Sequence, residues 1–220
     1  MDAQRTDEWF AARAGRITAS RMCDVMAFTA GEGVYKSGPR KGQAKIATPL
    51  KARTDYIVQL AAERLTGNSR AQISAGPLEW GKQWEPVARA EYENRTGVLV
   101  EEAGFIVHPQ FDFIGASADF LVAADGGGEM KCPFNQEVHL QTLERGLPDE
   151  HIEQIQGGLW VTSRQWWDFV SFHPAFPPHL QLYVQRVLRD DAYIGKLADA
   201  CLSLNDEVQA IVQRQMRNAA

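Results

Sequence analysis

At Gly97 the spacing of apolar residues changes from a helical to a strand-like period, and no all-helical or all-β fold accommodates that change. Before it, Leu50, Ile57, Leu60, Ala61 and Leu65 recur at helical spacing until Gly67. A second helical stretch runs from Pro77 to Thr96 and ends at Gly97. Thr48 and Pro49 read as the cap and first residue of the earlier helix. Pro86 lacks a backbone donor, so a kink or a fresh helix start is expected there.

After Gly97 the segments 98–102, 104–108, 113–123 and 128–132 read as short strands. Asp125-Gly126-Gly127-Gly128 reads as the turn of a hairpin joining the last two. Helical pattern returns over 135–143 and 150–161. Strands are expected over 166–172 and 180–187, joined by a connection with three prolines, and a long amphipathic helix starts near Asp190. These elements make an α/β (α+β) chain: a three-layer core with helices on the faces of a sheet. The 220 residues suit a single domain, 1–220, closed by the C-terminal helix, and a 45% hydrophobic composition is enough to fill its core.

The N-terminal part offers two further features. Thr18 can cap a short helix running towards Ala27. Residues 31–47 hold four glycines and the cations Lys36, Arg40, Lys41 and Lys45 against the single acid Glu32, and read as a mobile basic loop. A solvated surface loop and a DNA contact explain that loop equally well.

Charge and cysteine usage exclude some classes. A net charge of −5 argues against a uniformly basic nucleic-acid-binding surface, though not against a groove that concentrates its cations. Cys23, Cys132 and Cys201 are too scattered for a disulfide framework or a structural zinc site. No apolar run is long enough to span a membrane and the first residues lack a secretory layout, so a soluble protein in a reducing cytoplasm is expected.

The chemistry concentrates in GASADFLVAADGGGEMKCP, residues 115–133. Asp119 is expected within one strand, and Glu129 and Lys131, two apart on the next, face the same side. Two carboxylates and an ammonium would converge at the end of a strand pair. Magnesium takes hard oxygen ligands and keeps several waters, so this set with a backbone carbonyl such as that of Met130 suits phosphodiester hydrolysis. The lysine can orient water and stabilise developing charge. Glu-X-Lys alone also occurs on ordinary solvent-facing strands. Glu85, on the helix carrying Trp80 and Trp84, offers a third carboxylate, with Gly81 allowing close approach beside it.

Four linked segments then point to a family. RAGRITAS (13–20), LEWGKQWE (78–85), ASADFL…GEMKCPF (116–134) and HIEQIQGGLWVT (151–162) resemble the phage lambda exonuclease, or YqaJ-type viral recombinase, family, in order along most of the chain. The resemblance implies a restriction-endonuclease-like fold and metal-dependent, ATP-independent 5′-to-3′ digestion of one strand of linear double-stranded DNA. It implies a homotrimeric ring, a single-strand annealing protein as partner in recombination, and a phage or prophage origin in the cytoplasm of a bacterial host.

By motif, Asp119, Glu129 and the Met130 carbonyl match metal ligands for Mg²⁺, with Mn²⁺ as a substitute. Glu85 matches the acid completing a second metal site, partly through water; Lys131 matches the catalytic lysine and Gln154 a glutamine supporting the site. Arg13 and Ser20 match residues receiving a terminal 5′-phosphate. Guanidinium suits phosphate, Ser20 is expected near a helix N-terminus, and Ser117 can join them. Arg16 and Arg21 read as surface contacts.

Asn135, Gln136 and Glu137 stand where a further phosphate-binding arginine is expected, Glu137 would repel a phosphate, and His151 stands where a tyrosine is common. Leu78 reads as a core leucine or as an apolar wedge parting the strands, and Trp80, Trp84, Trp160, Trp166 and Trp167 read mostly as core, with one or two able to stack on an unpaired base. Rival readings are an endonuclease or 3′-acting repair nuclease on the same fold, and a catalytically silent DNA-end-binding module.

Overall fold

The computed structural model describes residues 4, 6–31, 33–69 and 76–218; Glu32 of the basic loop lies outside them. Helix α1 (Asp7–Arg13) starts at Thr6, whose side chain accepts from the Trp9 amide. Strand β1 (Ile17–Thr18) leads through a 3₁₀ turn (Ala19–Arg21) into the one-turn helix α2 (Met22–Val25). Thr18 occupies the cap position of that turn but makes no side-chain cap bond. It belongs instead to the strand, where its amide donates to the buried Tyr56 hydroxyl.

Residues 33–45 are not a structureless loop. Val34 bridges Ala44, and the Tyr35 and Gly42 amides donate to the Gln43 and Tyr35 carbonyls, which makes a small hairpin with Lys36, Arg40, Lys41 and Lys45 exposed. Helix α3 (Lys51–Thr66) begins at Leu50, later than expected, because the Thr48 amide is bound by the Thr29 hydroxyl. It ends at Gly67, whose positive φ of 72° favours glycine. Helix α4 (Gly76–Thr96) runs through Pro86 without a fresh start.

The β region forms two sheets. One holds β1, β3 (Ile114–Ser117) and β2 (Phe105–Val107) in that order, with β1 parallel and β2 antiparallel to β3. The other holds β4 (Phe120–Val122), β5 (Gly126–Lys131), β6 (Trp166–Phe172) and β7 (Leu182–Leu188). Its β5–β6 pair is parallel and the flanking pairs are antiparallel. The parallel pair requires a long crossover, supplied by α5 (Gln136–Arg145) and α6 (Ile152–Thr162). Helix α7 (Asp191–Asn218) lays Ile194, Leu197, Cys201, Leu204 and Val208 into the core. The result is a mixed α/β fold, as expected, with two mixed sheets.

Three strand expectations are corrected. The stretch 98–102 contributes only an isolated bridge between Glu101 and Leu121. The single strand over 113–123 is two strands in different sheets, broken at Ala118–Asp119. The hairpin turn lies over 123–125, and Gly126, Gly127 and Gly128 are strand residues.

The glycines are there for space. A Cβ at Gly128 would stand 1.9 Å from the Phe120 ring, one at Gly126 2.0 Å from Trp166, and one at Gly127 2.6 Å from Trp167. The sheet thus packs large rings directly on its own backbone. Gly128→Ala is expected to cost about 2 kcal/mol through this overpacking, read as a lowered urea midpoint at unchanged m value.

Two buried clusters flank this sheet. One joins Ile17, Met22, Tyr56, Leu60, Ile155, Leu159, Trp167 and Phe169 with the apolar face of α7. The other joins Ala88 and Tyr92 of α4 with Phe120, Met130, Val170 and Phe172. Met130 therefore points to one side of β5 while Glu129 and Lys131 project to the other, and the strand end lies between α4 and α6. Cys23, Cys132 and Cys201 are all free thiols.

Candidate active site

Lys131 Nζ donates to Glu129 Oε1 at 2.6 Å and to Gln154 Oε1 of α6 at 3.4 Å. The period of β5 puts the first pair on one face, and the crossover brings α6 over it. Asp119 lies at the joint between β3 and β4 and not within a strand. Its amide continues the ladder to the Gly128 carbonyl, and its Oδ2 accepts from the Met130 amide at 2.7 Å. The break between the two sheets thus aims a half-buried carboxylate at the end of β5.

Burial raises the Asp119 pKa well above the ordinary carboxylate range, and the charges of Glu129 and Glu85 raise it further against the pull of Lys131 and the Met130 amide. Burial would by itself lower the Lys131 pKa, but Glu129, Asp119 and Glu85 outweigh it and hold the ammonium above its ordinary value. Glu85, half-buried on α4, acts through space on both groups and on Cys132. A Cβ at Gly81 would meet only Glu85 Oε1, at 3.6 Å, so no crowding beside Glu85 requires that glycine.

Neighbouring groups narrow the chemistry. Burial, with help from Glu85 and Asp119, pushes the Cys132 thiol up to about 12, which leaves it protonated and a poor nucleophile. Burial and then the Lys131 charge pull the His151 imidazole down to about 4; it stacks on Phe169 as a neutral ring. The centre is a set of carboxylates and an ammonium, without an activated protein nucleophile.

Does this set fit a divalent ion? Among the described residues no three His, Cys, Asp or Glu side chains come close enough to enclose an ion alone. Mg²⁺ asks for less: one or two carboxylates, with waters completing the octahedron. Asp119, its carboxylate held at the end of β5 by the Met130 amide, and the buried Glu129 are a hard-oxygen donor pair of that kind.

Arg13, Ser20 and Ser117 also come together. Arg13 Nη1 donates to Ser117 Oγ at 3.2 Å and Nη2 to Ser20 Oγ at 3.3 Å. The Trp9 indole N–H donates to the same Ser117 oxygen at 3.0 Å, and the Arg13 guanidinium lies 4.2 Å from the Trp9 ring centre. Ser117 Oγ thus has both lone pairs engaged, which leaves its hydroxyl proton to donate elsewhere. No ion pair forms on Arg13 among the described residues. Burial lowers its pKa, and the charges of Tyr56, Glu63 and Glu129 act in the opposite sense. This pocket therefore feels the charge of the carboxylate centre. Ser20 is not at a useful helix end, since α2 has only four residues.

Arg16 is spent on the Asp112 carbonyl, and Arg21 on Asp24 and Gln59. Glu137 is exposed in the first turn of α5. Leu78 is half-buried on α4 and, among the described residues, belongs to neither buried cluster. Trp160 and Trp167 are buried in the core, Trp84 and Trp166 pack against it, and Trp80 belongs to neither cluster.

Sequence reasoning missed two residues. Trp9 stands four positions before Arg13 on the same helix face, a spacing that would have signalled it. Arg89 pairs with Glu102 and reaches the Asp119 carbonyl at 3.5 Å; it stands one turn beyond Glu85 on α4.

With this geometry in place, comparison with known proteins is decisive. Residues 8–165 match the model of the YqaJ-like viral recombinase domain. The chain belongs to that family. Among solved structures, an alkaline exonuclease (LHK-Exo) from Laribacter hongkongensis is 36% identical over 97% of this chain and 98% of its own, with a TM-score of 0.83. The same exonuclease in complex with dAMP aligns at 37% identity over the same shares, with a TM-score of 0.83. A phage-related exonuclease from Haemophilus somnus 129PT shares the fold, with a TM-score of 0.62 and 14% identity over 93% of this chain and 96% of its own. No protein of curated function matches the chain. In this YqaJ-type chain, no helix among the described residues is long and apolar enough to cross a membrane.

Proposed function

We propose that this chain is a Mg²⁺-dependent, ATP-independent exonuclease that digests one strand of linear double-stranded DNA from its 5′ end, leaving 3′ single-stranded tails for recombination. That it is a nuclease acting on DNA follows from its family and from its likeness to an alkaline exonuclease along nearly the whole chain. The observation that carries the polarity is the Arg13 fork held between two serine hydroxyls, with Glu129 within electrostatic reach. A terminal phosphate is dianionic and presents several acceptor oxygens, and a guanidinium with adjacent hydroxyl donors is its natural seat. An enzyme that cuts within a strand has no use for such a pocket.

In this reading Asp119, Glu129 and the Met130 carbonyl hold one ion, and Glu85 completes a second site partly through water. Mg²⁺, or Mn²⁺ as a similar hard ion, supplies Lewis-acid polarisation of the phosphoryl group and a more acidic water. Lys131 faces the phosphate with its ammonium kept charged by Glu129 and Asp119, stabilising the negative charge that builds as the bond breaks. Gln154 fixes the Lys131 side chain, Arg13, Ser20 and Ser117 seat the 5′-phosphate, and Leu78 parts the strands ahead of the site. The protein works as a homotrimeric ring with a single-strand annealing protein, in the cytoplasm of a bacterial host, as a phage or prophage product. Enclosure lets a chain of net charge −5 stay on DNA without tight ionic affinity.

Linear duplex labelled at either the 5′ or the 3′ end, run beside closed circles with Mg²⁺ and with EDTA, tests the proposal. We expect early release of the 5′ label as mononucleotide, intact circles and complete block by EDTA. Nicked circles would establish an endonuclease, early loss of the 3′ label the opposite polarity, and binding without cleavage a silent end-binding module. The ring has its own check: sedimentation should give three times the 24.5 kDa chain mass, and a monomer at working concentration rules it out.

A further inference from the structure

Phe134 is 56% exposed, and its ring meets the Trp80 ring edge-on at a centroid distance of 5.5 Å. Trp80 in turn lies 5.6 Å from Trp84. Neither Trp80 nor Phe134 belongs to a buried cluster, although Trp84 packs against the one under α4. The Trp80 indole nitrogen is buried and has no acceptor among the described residues. Trp80 is half-buried and its ring also lies 5.6 Å from the ring of the buried His173, so it backs onto the interior; Phe134 is the ring held at the surface, and core packing does not account for it.

Their position follows from the elements that build the centre. Phe134 comes three residues after Lys131, a reach of at most roughly 11 Å along the chain, and Trp80 lies on α4 just over one turn before Glu85. Between Trp80 and Glu85 stands Gly81, where a side chain would meet nothing closer than Glu85 Oε1 at 3.6 Å. The position of the Gly81 side chain is itself open space beside Glu85. A nucleotide whose phosphate is seated at Lys131 would have the Phe134 ring, more than half exposed and backed edge-on by Trp80, within reach of its base.

We propose that Trp80 and Phe134 form a stacking subsite for the base of the 5′-terminal nucleotide being excised, whichever base that is. The proposal deepens the exonuclease reading and rests on it. Every base has a π-face, so a stacking surface grips the unpaired nucleotide without imposing sequence, as an enzyme that digests any end requires. The grip acts on bound substrate and transition state alike, so its loss appears in KM and leaves kcat unchanged.

The test pairs a protein change with a substrate change. Duplexes with a 5′-phosphorylated terminal nucleotide, either normal or abasic, are offered to the wild type, Phe134→Ala and Phe134→Tyr, and the first cleavage is followed. With normal ends, Phe134→Ala should raise KM about tenfold, the size expected for one base–aromatic stack, and Phe134→Tyr should restore it. With abasic ends the wild type should show the same rise, and Phe134→Ala should add nothing to it. Equal slowing of both substrates by Phe134→Ala, or no effect on either, overturns the subsite while leaving the exonuclease intact. A wild type that releases no 5′ nucleotide from either end overturns the exonuclease reading and the subsite with it. Exposure of Phe134 makes a folding defect in these variants unexpected, and an unchanged Tm would verify that.

Discussion

Lys131→Ala is expected to abolish cleavage, by roughly three orders of magnitude in kcat, while the protein stays folded. Removal of one well-placed donor to developing charge in a water-poor site costs about 10²–10³ in rate. Here the same change also leaves Glu129 Oε1 without its ammonium partner and Asp119 beside two uncompensated acids. Extra carboxylate charge favours cation binding, so Mg²⁺ should bind at least as tightly to the variant. Calorimetric titration with Mg²⁺ together with single-turnover digestion separates the two effects. A variant that retains one tenth of wild-type kcat removes Lys131 from the chemistry. Lys131→Arg keeps the charge but not the compact ammonium fitted between Glu129 and Gln154, and should recover little.

Arg13→Ala is expected to lower kcat/KM for 5′-phosphorylated ends by about a hundredfold and for 5′-hydroxyl ends by much less. A charge-assisted hydrogen bond contributes about 1.5–3 kcal/mol, or roughly 10- to 150-fold. The guanidinium also holds the two serine oxygens in place. Arg13→Lys should fall in between, since a point charge cannot span both hydroxyls. Equal loss on the two kinds of end would falsify the phosphate pocket and leave Arg13 a structural residue that joins α1 to β3. Ser117→Ala provides an internal check. It removes the hydroxyl proton left free by Trp9 and Arg13, and its smaller loss should also be confined to phosphorylated ends.

Much of this molecule was legible in its residues. The change of period at Gly97, the strand over 166–172 and the stops at Gly67 and Gly97 are local patterns, and the structure reproduces all of them. The shared face of Glu129 and Lys131 follows from the two-residue period of a strand and needs no knowledge of the fold. Thr18 and Thr48 are instructive failures. Each has the chemistry of a cap, but the Tyr56 hydroxyl and the Thr29 side chain, distant in sequence, claim their backbones for other structure.

Periodicity and residue chemistry by themselves determined the class of fold and the shared face of Glu129 and Lys131 on β5. These depend on neighbours within a few residues. Only the tertiary structure decided that the chain breaks at Asp119 to pass from one sheet to the other, and that break aims the carboxylate at β5. It alone turned Gly126–Gly128 from an expected turn into a strand beneath Phe120, Trp166 and Trp167, because the need for a missing Cβ lies in rings that fold back from elsewhere. It alone gathered Trp9, Arg13, Ser20 and Ser117 from three separate elements. Local sequence sets what each residue can do, whereas sheet membership and close approach are settled by contacts between residues far apart along the chain.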